Sequence, residues 1–363
     1  MIKKYNFIVI NFFRVTDPYS GASEVSFNFF KNIPSEQKNL FQFSDNSKKY
    51  KKVHSIQIKN TRWQKILNLK KISDSVIKFA TNKKNLIIII EGASWVGYAF
   101  FVYKLLKRKL KDSKFIYHSH NIEYLLRKEK ESYAIVALTK FFENYIAKKF
   151  NIFTCVSKID KKKIKKIYNI NATILSNGVE VSGDINKIKI KNFNFNYVFF
   201  CGSIKYLPNF DTLKILVEKI MPLVISKDPA IKLVVSGNED LPFKKNFLVN
   251  AGFVSKKNFY EHLRGASLFV NPMKIGFGSQ LKTINALVFG KTVIASKLAV
   301  GGININPNFK NLFITDDNKK IADLILKHIN SRKINKLSSN YYLKKYSMKN
   351  ITKSFFSDQG LST

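Results

Sequence analysis

The chain has 363 residues, 45% of them apolar or aromatic, with 63 Lys and Arg against 24 Asp and Glu for a formal net charge of +39. That length exceeds one ordinary core and suits two domains of about 150 to 200 residues, while the apolar share excludes global disorder. The charge points to an anionic partner; drift toward A- and T-rich codons would raise Glu together with Lys and so does not account for the imbalance.

The amino terminus begins like a secretion signal, but Asn6, Asn11 and Arg14 interrupt its apolar part, and residues 5–11 read as a first strand. Residues 86–103, LIIIIEGASWVGYAFFVY, approach the hydropathy of a membrane span of about 20 residues. Glu91, Gly92 and Ser94 divide them into a buried strand, a loop and a helix. Further short apolar runs follow at 115–120, 152–156 and 172–176, separated by longer helical segments. Such β-branched runs predict parallel strands buried on both faces. After a polar stretch at 182–196 a second series begins, with strands expected at 197–202, 231–237, 267–272 and 291–296 and helices at 209–225, 256–265 and 279–289. The expected architecture is α/β, with a domain over 1–180, a second over 190–335, and a closing helix at about 336–363 that packs back on the first. Ligands of doubly wound sheets bind beyond the carboxyl ends of the strands, which here predicts a cleft between the halves. Cys155 and Cys201 sit in apolar runs without framework spacing and read as buried thiols of a reducing compartment.

The stretch GFGSQLKTINALVFG (276–290) sets glycines before one amphipathic helix. Unpaired amide donors at such a helix start, carrying about half a positive charge, suit a phosphate. Gly278, Ser279 and Lys282 would supply close backbone approach, a hydroxyl and a cation.

The order of segments in the carboxyl half, FFCGSIKYLPNFDTL, KLVVSGNE, then GFVSKKNFYEHLRGASLFVNPMKIGFGSQLKTINALVFGKTVIAS, resembles the nucleotide-binding domain of glycosyltransferase family 4. DPYSGASE, YHSHNIEYLLR and TCVSKID…ILSNGVEV in the amino half agree, so the likeness runs through most of residues 5–300. It implies the GT-B fold, two Rossmann-like domains facing across a cleft, and retaining transfer from a nucleotide sugar. By resemblance, Gly21, Gly278, Ser279 and Lys282 would hold the donor phosphates, Lys282 also acting in catalysis, and Lys205, just after the Gly202 turn, is a further candidate for that cluster. Gly252, Phe253 and Val254 flank the base, and Asn285 meets the ribose. His120 lies beside the donor sugar as a catalytic residue; Glu123 and Arg127 belong to the acceptor side or form a solvated helix face. Three positions depart from the family pattern: Gln280 for arginine, Asn285 for a ribose-binding glutamate, and Ala22 for a second glycine. Asn285 accepts through an amide oxygen without the charge.

His118 and His120 share a strand face and raise the possibility of a metal pair. No third ligand lies nearby in sequence and no D-x-D element occurs, so no metal and no cofactor beyond the nucleotide-sugar substrate is expected. Lysines crowd 103–114, 147–150 and 157–168; the last run interleaves Ile159, Ile164, Ile167 and Tyr168, as a basic helix lying on anionic lipid would. The expectation is a cytoplasmic enzyme, peripheral on the inner face of the plasma membrane, that glycosylates a cell-envelope polysaccharide, lipopolysaccharide or lipid-linked acceptor. The alternative is a non-catalytic protein of the same fold with a degenerate donor site. Specific nucleic-acid binding is not expected, for want of a recognition module.

Overall fold

The computed structural model describes residues 4–361 apart from 19, 47, 129–130, 182–183 and 277–279. The chain divides into two compact units, residues 1–178 with 348–363, and residues 179–347.

The first unit runs β1 (Asn6–Asn11), α1 (Gly21–Asn32), β2 (Lys38–Ser44), β3 (Val53–Gln57), α2 (Arg62–Leu67), α3 (Leu69–Ala80), β4 (Leu86–Glu91), α4 (Val96–Lys109), β5 (Lys114–His118), α5 (Glu123–Lys128), α6 (Tyr133–Lys149), β6 (Ile152–Cys155), α7 (Lys158–Tyr168) and β7 (Thr173–Ile174). Its strands form one parallel sheet in the order β3-β2-β1-β4-β5-β6-β7. All six residues of β4 are buried, because helices cover both faces. Ile8, Ile10, Ile88 and Ile90 on one face meet Ile72 and Val76 of α3, Val102 and Leu106 of α4 and Ile146 of α6. The segment 86–103 is thus a strand, a loop and a helix, and no helix among the described residues is long and apolar enough to cross a membrane.

The second unit contains a 3-10 turn (Ile185–Lys187), then β8 (Tyr197–Cys201) and α8 (Leu207–Ile215), which continues through a wide π turn (Leu216–Ile220) into α9 (Met221–Ile225). Next come β9 (Lys232–Ser236), β10 (Leu248–Asn250), α10 (Lys256–Gly265), β11 (Leu268–Asn271), α11 (Leu281–Val288), β12 (Thr292–Ala295), α12 (Lys297–Val300), β13 (Leu312–Ile314), α13 (Asn318–His328) and α14 (Lys336–Tyr346). The sheet order is β10-β9-β8-β11-β12-β13, again parallel. In both units the order reverses beside the first strand, between β1 and β4 and between β8 and β11. Doubly wound sheets bind ligands at that reversal.

Two expectations change. The closing helix is two helices, because Ser347 takes an extended conformation after α14. Ser339 of α14 donates to the Val288 carbonyl of the second unit (2.5 Å), whereas α15 (Met348–Asp358) returns to the first, where Phe356 packs on Phe7 and Phe29 and Thr352 donates to the Asn32 carbonyl. And α7 is not laid out for lipid: Ile164 and Tyr168 are buried in the core and Ile167 packs against it, which leaves Ile159 exposed. A 3.6-residue apolar stripe has the same period whether it faces a sheet or a bilayer.

Candidate functional site

In the second unit, the loops at the carboxyl ends of β8, β9 and β10 are tied together. Gly202 donates to the Ser236 carbonyl (3.0 Å) and Gly237 to the Gly252 carbonyl (2.8 Å), while the Asn238 amide accepts from Ile204 N–H and donates to the Gly202 carbonyl. Gly202 has φ of 143°, and a side chain there would meet the Asn209 amide at 2.6 Å, so the close turn requires glycine. Asn209, at the start of α8, donates to the Ser203 carbonyl and accepts from Lys282 Nζ.

Lys282 therefore reaches from α11 across the reversal point to the turn after β8. Its Nζ stands 4.7 Å over the Phe200 ring, and desolvation lowers its pKa to about 8. α11 is oriented by a hydrogen bond from Asn271, at the end of β11, to Thr283 (3.0 Å). Among the described residues, the N-cap position of α11, Gln280, makes no side-chain cap hydrogen bond to the helix, whereas α7, α10, α12, α13 and α14 each carry a side-chain cap. Asn285, one turn on from Lys282, donates its amide to the Leu281 carbonyl, and its Oδ1 is buried without a partner. An amide oxygen so placed can accept a hydrogen bond from a ligand hydroxyl. Lys205 is exposed in the turn before α8; Phe253, beside Gly252 and Val254, is 62% exposed and offers an open aromatic face. Gly278 and Ser279 lie outside the described residues. Asn209 was missed from sequence, although the Pro208-Asn209 pair after the glycine turn carries it.

In the first unit, Gly21 is the first residue of α1 rather than part of a preceding loop, because Ser20 and Ser23 form a reciprocal capping box that closes the helix start. His120 is 5% exposed, and its Nε2 lies 2.7 Å from Glu91 Oε2. His118 Nδ1 lies 2.9 Å from Glu91 Oε1, and Ser26 Oγ donates to Oε2 at 2.8 Å. Glu91 and His118 are register partners on β4 and β5, so the sheet brings together residues 27 and 29 positions apart. Gly92 follows directly and donates to the His118 carbonyl; a side chain there would strike the Tyr117 ring at 2.7 Å. The two imidazoles hold the Glu91 carboxyl well below its usual range against the opposing effect of burial, and desolvation keeps His120 below the ordinary histidine value. Glu91, His118 and His120 also form a group of three potential metal ligands within 4.8 Å of one another, the third ligand that sequence proximity did not disclose.

Glu123 is buried and Arg127 only partly exposed, so the two do not form a solvated helix face. Glu123 is 4% exposed and pairs with Arg127 (2.9 Å), which also pairs with Glu131. Glu143 of α6 caps the start of α5 by accepting from the amides of Glu123 and Tyr124, and burial pushes its carboxyl up to about 7 against those donors.

Residues 196–331 match the family model of glycosyl transferases group 1. The matched segment lies within the second unit and contains Lys282, Asn209, Phe253 and Asn285. Over the whole chain the fold is that of GT-B glycosyltransferases. It is similar to sucrose-phosphate synthase from Thermosynechococcus elongatus (TM-score 0.72, 11% identity, 98% of each chain). HepE from Anabaena, solved with UDP and glucose, gives a TM-score of 0.71 at 13% identity over 98% of this chain and 99% of its own. A glycosyltransferase from Rickettsia africae gives 0.67 at 14% over 98% of each. Among curated proteins, an uncharacterized 44.6 kDa protein in the cps region of Klebsiella pneumoniae is 25% identical over an alignment covering 63% of each chain, so the match spans less than two thirds of that relative.

Proposed function

We propose that the protein is a retaining glycosyltransferase that moves a sugar from a nucleotide-sugar donor to a cell-envelope polysaccharide, lipopolysaccharide or lipid-linked acceptor. The observation that carries this reading is the Lys282 ammonium, held by Asn209 over Phe200 at the reversal point of a domain matching glycosyl transferases group 1. Glycosyl transfer develops charge on the departing diphosphate, and a fixed cation in a partly desolvated site stabilises that charge more strongly than water would. Solved neighbours bound to UDP and UDP-glucose support a nucleotide-sugar donor, and the cps-region relative supports polysaccharide assembly. No protein nucleophile is required if a leaving phosphate oxygen takes the acceptor proton, and we assign no metal to the reaction.

Peripheral association with an anionic membrane belongs to the same proposal. It rests on exposed Phe101 of α4 and exposed Leu138 and Phe141 of α6, which adjoin the exposed lysines 104, 140 and 148. Apolar side chains rimmed by lysine suit the interface of an anionic bilayer.

The test is incubation of the whole chain with UDP-, GDP- and ADP-sugars in detergent with chelator, combined with calorimetry of the nucleoside diphosphates. Donor consumption and nucleotide binding are expected; neither with any nucleotide would overturn the proposal. The competing reading, a binding protein with a degenerate donor site, rests on Asn285 in place of glutamate. It expects Asn285→Glu to raise nucleotide affinity without yielding transfer, whereas the enzyme reading expects measurable transfer from the natural sequence.

A further inference from the structure

Four polar side chains stand in register at the carboxyl ends of adjacent strands: Gln42 of β2, Asn11 of β1, Glu91 of β4 and His118 of β5. Each is at most 1% exposed. Gln42 serves the backbone of the loop after β1, accepting from Val15 N–H. Glu91 does something different. Both its oxygens are spent on side chains, Oε1 on His118 and Oε2 on His120 and Ser26, and a carboxylate so surrounded only accepts. The proton therefore sits on Nδ1 of His118 and on Nε2 of His120.

We infer that Glu91 is a positioning residue that fixes His120 as the Nε2–H tautomer, so that its Nδ1 lone pair is presented as the hydrogen-bond acceptor for a hydroxyl of the sugar being transferred. The contact with Glu91 is the one hydrogen bond of the His120 ring among the described residues, which leaves Nδ1 for a ligand. Ser26 pins the shared oxygen from α1, and the His118 ring, 4.6 Å from that of His120 between centroids, walls the other side. Phe29 closes over His118 at 4.5 Å.

A divalent cation is the competing occupant of Glu91, His118 and His120. Metal-bound imidazoles as a rule donate their second ring N–H to a carboxylate, a carbonyl or water. His118 Nε2 is buried without a partner, so moving the proton there to free Nδ1 would leave a buried donor unsatisfied. The donor set thus favours protons over a metal.

This inference rests on the glycosyltransferase reading for its substrate, but the tautomers are measurable without activity. The chain has five histidines, so long-range proton–nitrogen spectra of the 15N-histidine protein are tractable. They are expected to show His120 protonated on Nε2 and His118 on Nδ1, and to show mixed tautomers in Glu91→Gln. In turnover assays Glu91→Gln is expected to lower kcat about 10- to 100-fold, the worth of one charge-assisted hydrogen bond, with the donor KM and nucleotide affinity unchanged. The double variant with His120→Ala is expected to be no slower than His120→Ala alone. The titratable groups acting on the His120 ring are Glu91 of β4, which raises its pKa, and His118 of β5, which lowers it. His120 works as the neutral form, so activity falls as pH drops through its pKa, and removing the Glu91 charge moves that acid limb to lower pH. Glu91→Asp, which keeps the charge, is expected to retain the wild-type limb even where the shorter side chain costs rate. His120 protonated on Nδ1, spectra unaffected by Glu91→Gln, additive rate losses, or stoichiometric Zn2+ binding by the wild type that Glu91→Gln abolishes would each overturn the inference. Wild-type inactivity with every donor alongside the expected tautomers would instead sink the glycosyltransferase reading.

Discussion

Under the proposed function, Lys282 ties charge to donor binding. Its ordinary pKa is far above neutrality, and desolvation brings it to about 8. Only the ammonium form attracts a diphosphate, so nucleoside diphosphate affinity is expected to hold steady below that value and to weaken as pH rises through it. Calorimetry between pH 7 and 9 reads this directly, and a flat profile would remove Lys282 from the phosphate site. Lys282→Ala is expected to weaken the same binding about 10- to 100-fold, as loss of a charge-assisted contact does. Lys282, Asn285 and His120 could be singled out in the sequence because they stand in recognisable segments. Glu91 could not, because its partners are 27 and 29 residues away and only the parallel register of β4 with β5 brings them together. The burial of Glu123 was equally hidden, since its partner Glu143 belongs to the next helix.

At the level of elements, apolar runs such as 86–90 and 197–201 announced the central strands, which are buried on both faces. Apart from β7, announced by the run 172–176, the outer strands were silent. β2 (KNLFQFS) and β3 (VHSIQ) mix polar residues into the run, and β10 and β13 have three residues each, too few for a period to register. α7 is the instructive misreading, and it divides cleanly in a test. Ile164→Ala is expected to cost about 2 to 5 kcal/mol of stability by leaving a core cavity, read as a lowered denaturation midpoint, with vesicle binding intact. Phe101→Ser with Phe141→Ser is expected to do the reverse, reducing co-sedimentation with anionic vesicles while stability holds. If Ile164→Ala released the protein from vesicles with its fold unchanged, α7 would be the lipid contact after all.

At the scale of the whole molecule, two sheets repeat one strand order, 3-2-1-4-5-6, with a seventh strand added in the first unit. The doubled series of apolar runs made the two-unit division readable in advance, and the return of the last segment was expected too, but not that the second crossing falls at 347–348, after α14 has stayed with the second unit. Phe356 is fully buried against Phe7 and Phe29, so Phe356→Ala is expected to cost the first unit about 3 to 5 kcal/mol. Scanning calorimetry that resolves two transitions would show one displaced and the other fixed; equal shifts in both would mean that the units unfold as a single body.

The return of α15 also sets a timetable for biogenesis. Domains ordinarily mature on the ribosome from the amino end as they emerge. Here the segment 179–347 is contiguous and can finish first, whereas the unit that begins the chain waits for its final residues to be translated. Until then the apolar bed on Phe7 and Phe29 stays uncovered, and a nascent chain arrested near residue 347 would expose it to chaperones.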